Sequence, residues 1–174
     1  FHCTSSLGIA LFHGHDETAD TLLKHADLAL YRAKGAGRNA MQFFDPAMQS
    51  ALDARCATEA DLRHAIERNE LELFYQPQLD GARRLIGAEA LLRWRHPRWG
   101  LVQPDAFVPI AEETGLIVPI GEWVMQSAGR QIQAWSRSPV TRDLKIAVNV
   151  SARQLRNAEF PRQVRRMLAL TGID

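Results

Sequence analysis

Residues 4–12 form a short apolar run of strand character. From about Thr18 the period lengthens, and Leu22, Leu23, Ala26, Ala29, Leu30 and Ala33 recur at steps of three and four, the spacing of one helix face. Gly35 is placed to end that helix, because glycine takes a left-handed backbone cheaply. Residues 41–44 predict a second short strand, after which Asp45-Pro46 breaks the pattern. Helical spacing returns over residues 51–68, with Leu52, Leu62, Ala65 and Ile66 along it. A junction between two domains is placed near the start of that helix.

The second half alternates differently. Residues 71–79 and 85–94 predict two strands around Asp80-Gly81, a turn-forming pair, and so short a connection makes them antiparallel neighbours. A helix follows near residues 104–114, with Pro104 in its first turn and Gly115 ending it. Pro119 opens another, along which Ile120, Trp123, Val124, Ala128, Ile132 and Trp135 make one apolar stripe, the pattern of core packing. Residues 144–150 predict a third strand. Ser151 with Gln154 makes a capping box for the helix after it, and a last helix covers about residues 161–170, with Gly172 beyond. This order of strands and helices implies an α/β domain.

Charge narrows the class of partner. The 174 residues hold 21 Lys+Arg against 20 Asp+Glu, so no general field for polyanions is expected. Cys3 and Cys56 lie far apart without metal-type spacing, which fits a reduced cytosol. No apolar run approaches the length that spans a bilayer and no signal peptide is present, so these residues are expected to be soluble and cytoplasmic.

The chemistry concentrates in Leu85-Ile86-Gly87-Ala88-Glu89-Ala90-Leu91-Leu92-Arg93-Trp94. A strand turns alternate side chains to opposite faces, so Glu89, Leu91 and Arg93 share one face, with Ala88, Ala90, Leu92 and Trp94 on the other. An acid and a base on a half-buried strand face are costly unless paired or given a ligand. Two readings stay open: a plain Glu89–Arg93 ion pair, or a carboxylate for a cation beside a guanidinium for a phosphate. Gln76 shares a strand face with Glu72, Phe74 and Gln78. Asn149 shares one with Lys145 and Ala147, opposite the apolar Ile146, Val148 and Val150. Arg93, Arg95, His96 and Arg98, interleaved with Trp94 and Trp99, imitate a nucleic-acid patch, but the stretch is short and the charge balanced, so no nucleic acid is expected. His13-Gly14-His15 imitates a metal tract, and two loop histidines are ordinarily just solvated.

The run Glu89-Ala90-Leu91-Leu92-Arg93-Trp94-Arg95-His96-Pro97 resembles the signature of EAL domains, the phosphodiesterases and receptors of cyclic di-GMP. The likeness continues through Gly100-Leu101-Val102-Gln103-Pro104, through Phe107-Val108-Pro109-Ile110-Ala111-Glu112-Glu113-Thr114-Gly115-Leu116-Ile117, and to Asn149-Val150-Ser151. Upstream it takes in Phe74-Tyr75-Gln76-Pro77. At the other end, Thr4-Ser5-Ser6-Leu7-Gly8-Ile9-Ala10 and Ala26-Asp27-Leu28-Ala29-Leu30-Tyr31-Arg32-Ala33-Lys34-Gly35-Ala36-Gly37-Arg38-Asn39 resemble the last strand and helix of a GGDEF (diguanylate cyclase) domain.

These resemblances imply the C-terminal part of an α+β GGDEF domain over residues 1–45 and a connector helix region over 46–60. Residues 61–174 would then be the N-terminal part of an EAL domain, a partial, modified (β/α)8 TIM-like barrel with an antiparallel first strand. In such barrels ligands gather at the C-terminal strand ends, where Asn149 falls. The family uses this Asn and Glu89 as metal ligands. Both are hard oxygen donors, suited to Mg²⁺ or Mn²⁺ in a two-metal site rather than to zinc. A lone Asn at a strand end otherwise reads as a turn-former or cap. The resemblance further implies that Gln76 contacts the dinucleotide, Leu91 a guanine base and Arg93 a phosphate, with Pro104 lining the pocket entrance.

Lys34 and Arg38 match GGDEF positions that help hold the triphosphate of GTP; their plainer reading is the basic end of a helix. The intact protein is expected to be a homodimer that hydrolyses cyclic di-GMP to linear pGpG, with membrane-anchoring segments possible upstream. The rival readings are a non-catalytic cyclic di-GMP receptor and a protein acting mainly as a cyclase. The chain ends before the family's later acidic motifs and active-site lysine, so these residues alone are expected to be inactive.

Overall fold

The computed structural model describes residues 3–12, 14 and 17–172, the side chain at 170 excepted. The chain divides into two compact units, Phe1–Ala57 and Thr58–Asp174.

In the first unit, strand β1 (Leu7–Ile9) pairs in parallel with β2 (Met41–Phe43), and helix α1 (Ala19–Gly35) makes the crossover between them. Parallel neighbours need such a crossover. Strand character thus occupies only part of the apolar stretch 4–12. Thr18 caps α1, its hydroxyl accepting the Thr21 N–H at 3.2 Å. Leu28, Ala29 and Ala33 on α1 are buried. Gly8 lets helix and strand meet: a Cβ there would fall 2.1 Å from the Ala26 carbonyl oxygen. The expected helix stop at Gly35 is displaced. Ala36 is still helical in its bonding, and the left-handed residue is Gly37 (φ 110), where Arg38 N–H reaches back to the Ala33 carbonyl at 3.2 Å. That six-to-one bond is the closing feature of a Schellman cap.

Helix α2 (Pro46–Leu62) corrects the reading of residues 45–68 at both ends. Asp45-Pro46 begins a helix instead of only breaking a pattern, since Asp45 Oδ1 accepts the Ala47 N–H at 2.8 Å and proline suits a first helical position. At the far end the helix stops at Leu62, and residues 63–69 run on as turns. Ala65 is nevertheless fully buried, which is why the apolar spacing outlasts the helix.

The second unit is built on a four-stranded sheet. Strand β3 (Leu71–Leu79) runs antiparallel to the long β4 (Leu85–His96). Strand β5 (Gly100–Val102) pairs antiparallel with the end of β4, and β6 (Lys145–Val148) pairs in parallel with Gly87 to Ala90. The β3–β4 connection, residues 80–84, has the five-residue length that the strand limits read from the sequence leave for it. Asp80 organises it: Oδ1 accepts the N–H groups of Ala82 and Arg84 (both 2.9 Å), and Arg83 rather than Gly81 takes the left-handed backbone (φ 61). These bonds, first the Arg84 backbone and then its side chain, hold the Asp80 carboxyl below the usual carboxylate range.

Helices α3 (Pro104–Thr114, ended by Gly115 at φ 88) and α4 (Ile117–Ser136) pack over the sheet. α4 starts two residues before Pro119, which therefore lies inside its first turn, where a missing N–H costs nothing. The core joins Leu62, Leu71, Trp94, Phe107, Ile117, Ile120 and Val124. The even-numbered face of β4, ending in the fully buried Trp94, looks into that core. The opposite face is left for other work. β6 is shorter than the 144–150 expected. After it come the short α5 (Ala152–Leu155), with the Ser151–Gln154 capping box in place, and α6 (Phe160–Thr171).

Candidate functional site

The free face of β4 carries Glu89, Leu91 and Arg93, all half-buried. The register with β3 sets a partner opposite each: Gln76 faces Glu89, Phe74 faces Leu91 and Glu72 faces Arg93. Directly opposed residues on one face of an antiparallel pair lie close enough to act together. Gln76 therefore stands beside the carboxylate, with its own side chain exposed.

Asn149 follows the last residue of β6. Because β6 runs parallel to β4 with Val148 beside Ala90, the chain delivers Asn149 to the level of Leu91, from where its amide Nδ2 donates to Glu89 Oε1 at 2.7 Å. Two residues sixty positions apart are thus joined where β6 ends beside the middle of β4. Leu91 and Asn149 also line a pocket of about 330 Å³ between the strand ends and α3, shared with Pro104, Asp105 and Glu112. Pro104, first residue of α3, sits at its wall.

Arg93 does not pair with Glu89 among the described residues. Its Nη1 donates to the Leu92 carbonyl at 2.8 Å, and its guanidinium lies over the Phe74 ring, 5.6 Å from the centroid. Glu72, opposite it, is taken by Arg95 at 2.7 Å. The ion-pair reading of Glu89 and Arg93 is therefore not what the fold adopts. Phe74 and the pocket acids Asp105 and Glu112 escaped the sequence reading as site residues; alternation placed Phe74 on the correct face, but only the strand register sets it beneath Arg93.

Glu89 and Asn149 bring two hard oxygen-bearing side chains into contact. No group of three or more His, Cys, Asp or Glu that could hold a metal ion gathers among the described residues.

The basic and aromatic stretch that closes β4 and runs on to Trp99 is occupied internally. Trp94 Nε1 donates to Glu70 at 3.0 Å. His96, 3 % exposed, accepts the backbone N–H groups of Arg98 and Trp99 on Nδ1 (3.2 Å each), so Nε2 carries the proton and donates to Asp61 at 3.1 Å. Arg98 reaches the same carboxylate at 2.9 Å, and Trp99 stacks on the His96 ring. The His96 hydrogen bond, then Arg98, hold the Asp61 carboxyl below its ordinary value against the opposing effect of burial.

In the first unit Lys34 and Arg38 are exposed, Lys34 in the last turn of α1 and Arg38 in left-handed backbone (φ 63) just after Gly37. Neither makes an ion pair among the described residues. His13 and His15 lie outside the described residues.

Residues 59–174 match the family described as EAL domain, and residues 1–40 match the one described as diguanylate cyclase, GGDEF domain. The bifunctional diguanylate cyclase/cyclic di-GMP phosphodiesterase MucR of Pseudomonas aeruginosa is 45% identical over 172 residues, which cover 98% of this chain and 25% of that protein. The cyclic di-GMP phosphodiesterase PdeR of Escherichia coli is 40% identical over 156 residues, 88% of this chain and 23% of that protein. The chain thus spans about a quarter of the length of these relatives. A solved structure of the PaMucR phosphodiesterase in complex with c-di-GMP superposes with a TM-score of 0.65 at 47% identity, covering 67% of this chain and 47% of that one. The EAL enzyme Bd1971, bound to cAMP and cyclic-di-GMP, superposes at 0.64 with 30% identity, covering 90% and 41%.

Proposed function

Because this chain belongs to the EAL domain family across residues 59–174, we propose that the protein carrying it hydrolyses cyclic di-GMP to linear pGpG. The observation that carries the reading is the 2.7 Å contact between Glu89 and Asn149, the latter lining a pocket together with Leu91 and Pro104. Family resemblance assigns both residues to a metal site, and the fold supports it by bringing Glu89 of β4 together with the residue that follows β6.

The donor set fits a hard divalent cation. A carboxylate and an amide carbonyl suit Mg²⁺ or Mn²⁺ better than a soft-ligand metal. Asn149 turns its nitrogen to Glu89 here; rotation about its last side-chain bond offers the carbonyl oxygen instead. The chemistry that a bound metal pair supplies is activation of a water and neutralisation of charge on the phosphate. The side chains of this chain do the holding. Glu89 and Asn149 contribute two donors, Gln76 orients the dinucleotide from the neighbouring strand, and Leu91 packs against a guanine base with Pro104 at the pocket wall. Arg93, steadied over Phe74, offers a planar guanidinium to a phosphate.

The same reading takes residues 61–174 as the first part of a modified (β/α)8 barrel and residues 1–45 as the end of a GGDEF domain, with 46–60 connecting them. In the latter Lys34 and Arg38 would contact the triphosphate of GTP. A cytoplasmic homodimer is the assembly proposed; no helix among the described residues is long and apolar enough to cross a membrane.

The test is turnover of cyclic di-GMP by the whole protein with Mn²⁺, comparing wild type with Glu89→Ala. A loss of more than about 100-fold is expected, beyond what removing an outer partner of a metal ligand costs. Unchanged turnover in the variant would remove the metal-ligand assignment. Tight binding by the wild type without cleavage would make the protein a receptor instead.

A further inference from the structure

Asn149 belongs to no regular element. β6 ends at Val148, and Ser151 is already the cap of α5. Its place must therefore be set through its chain neighbours. α5 is only four residues long, too short to form or hold its position alone. Two contacts dock it.

Arg153 donates through Nη1 to the backbone carbonyls of Glu112 and Glu113 at the end of α3, the second at 3.2 Å. Gln154 does more. Its side chain is 5 % exposed, its Oε1 accepts the Ser151 N–H at 3.1 Å, and its own N–H donates to Ser151 Oγ at 3.2 Å. Its amide is seated against Gly121 of α4, where a Cβ would fall 1.8 Å from Nε2 and 2.6 Å from Cδ. An added methyl there has to push the amide aside, and the amide has to release the Ser151 N–H to move. The line of contact runs from α4 through Gln154 to Ser151, two residues from Asn149.

We infer that Gln154, seated on Gly121, is a positioning residue that fixes the Asn149 amide against Glu89. Its bearing on metal binding rests on the function proposed above; its geometric part does not. Gly121 acts only by leaving room. Gly121→Ala therefore gains helix propensity but crowds the Gln154 amide, whereas Gln154→Ala opens the capping box directly.

The experiment takes the whole protein, metal-free, as Gln154→Ala, Gly121→Ala and the double variant, and reads the Asn149 Nδ2 to Glu89 Oε1 separation in crystal structures. In both single variants the separation is expected to open beyond about 3.5 Å, where no hydrogen bond remains. The double variant should be no worse than Gln154→Ala, since the shortened side chain leaves space for the added methyl. Titration of Mn²⁺ alone should show about 10–100-fold weaker binding in the single variants, the range for partners that orient a ligand.

A separation that stays at its wild-type value in both single variants overturns the inference, even if they melt earlier, because a merely structural role would lower stability and leave Asn149 in place. If Gln154→Ala does not fold, Gly121→Ala alone decides by the same distance. Glu89→Ala serves as the reference. An opened separation with Mn²⁺ binding indifferent to Glu89→Ala keeps the positioning role and refutes the metal reading; a closed separation with Mn²⁺ binding lost in Glu89→Ala does the reverse.

Discussion

Two of the polar links that strand β4 makes to distant parts of the chain differ in what they leave free. At its end, His96 is buried with both ring nitrogens engaged, one by two backbone N–H groups and one by Asp61, which in turn receives Arg98. Seven residues earlier, Glu89 is half-buried and, among the described residues, takes one side-chain hydrogen bond, from Asn149. A saturated buried cluster specifies how chain segments meet and has no capacity left for a ligand. A half-exposed carboxylate with spare lone pairs keeps that capacity. Both tie together segments far apart in sequence, so the link itself does not identify a functional site; unspent coordination does.

The contrast can be broken first at the saturated end. His96→Ala should cost about 2–4 kcal/mol of stability, because it leaves the Arg98 and Trp99 N–H groups without their acceptor and takes from the Asp61 carboxylate one of its donors. Urea unfolding measures it, and turnover per folded molecule should stay near wild type. A variant that melted normally but lost turnover would put His96 in the chemistry and erase the distinction.

Arg93 sharpens the open end. Arg93→Ala should weaken cyclic di-GMP binding by about 1.5–3 kcal/mol if the guanidinium meets a phosphate, with little change in melting. Calorimetric titration and thermal melting of the same variant separate this from the alternative. A fall in melting temperature with affinity intact would mean that Arg93 serves only to cover Phe74.

A smaller effect follows from Asp61. Its carboxyl is held below the ordinary range, chiefly by His96 and then by Arg98. A depressed carboxylate contributes stability that is fully present above its unfolded value, near about 3.9. That stability is lost as pH falls through the lowered folded value. Stability measured from pH 7 downwards should therefore drop on the acid side, and Asp61→Asn should make that drop shallower. An identical acid profile in the variant would show that the cluster has no charge-dependent share in stability.

How much of this was legible in the sequence depended on range. The alternation of residues 85–94 placed Glu89, Leu91 and Arg93 on one face because one side of β4 is buried and a one-residue slip would invert it. Gln76 opposite Glu89 was not legible. That pairing depends on how the Asp80 side chain organises the five-residue connection and on the register shift between Gln78 and Leu79, neither of which the turn-forming pair Asp80-Gly81 announces. β5 went unread because three residues carry no period, and its strand character comes only from lying along β4. In the sequence His96 is only one member of a short basic and aromatic stretch, since nothing local announces a carboxylate partner thirty-five residues upstream. Likewise the capping box of Ser151 and Gln154 is a local signal and was seen, whereas the seat of Gln154 on Gly121 is tertiary and was not.

The central claim is that Glu89 and Asn149 are one site and not two neighbouring polar residues. A double-mutant cycle on cyclic di-GMP turnover by the whole protein tests it most directly, using Glu89→Ala, Asn149→Ala and both together. Groups that act as a unit are strongly non-additive. The double variant is expected to lie within a few-fold of the worse single variant; losses that multiply across the pair would contradict a single site.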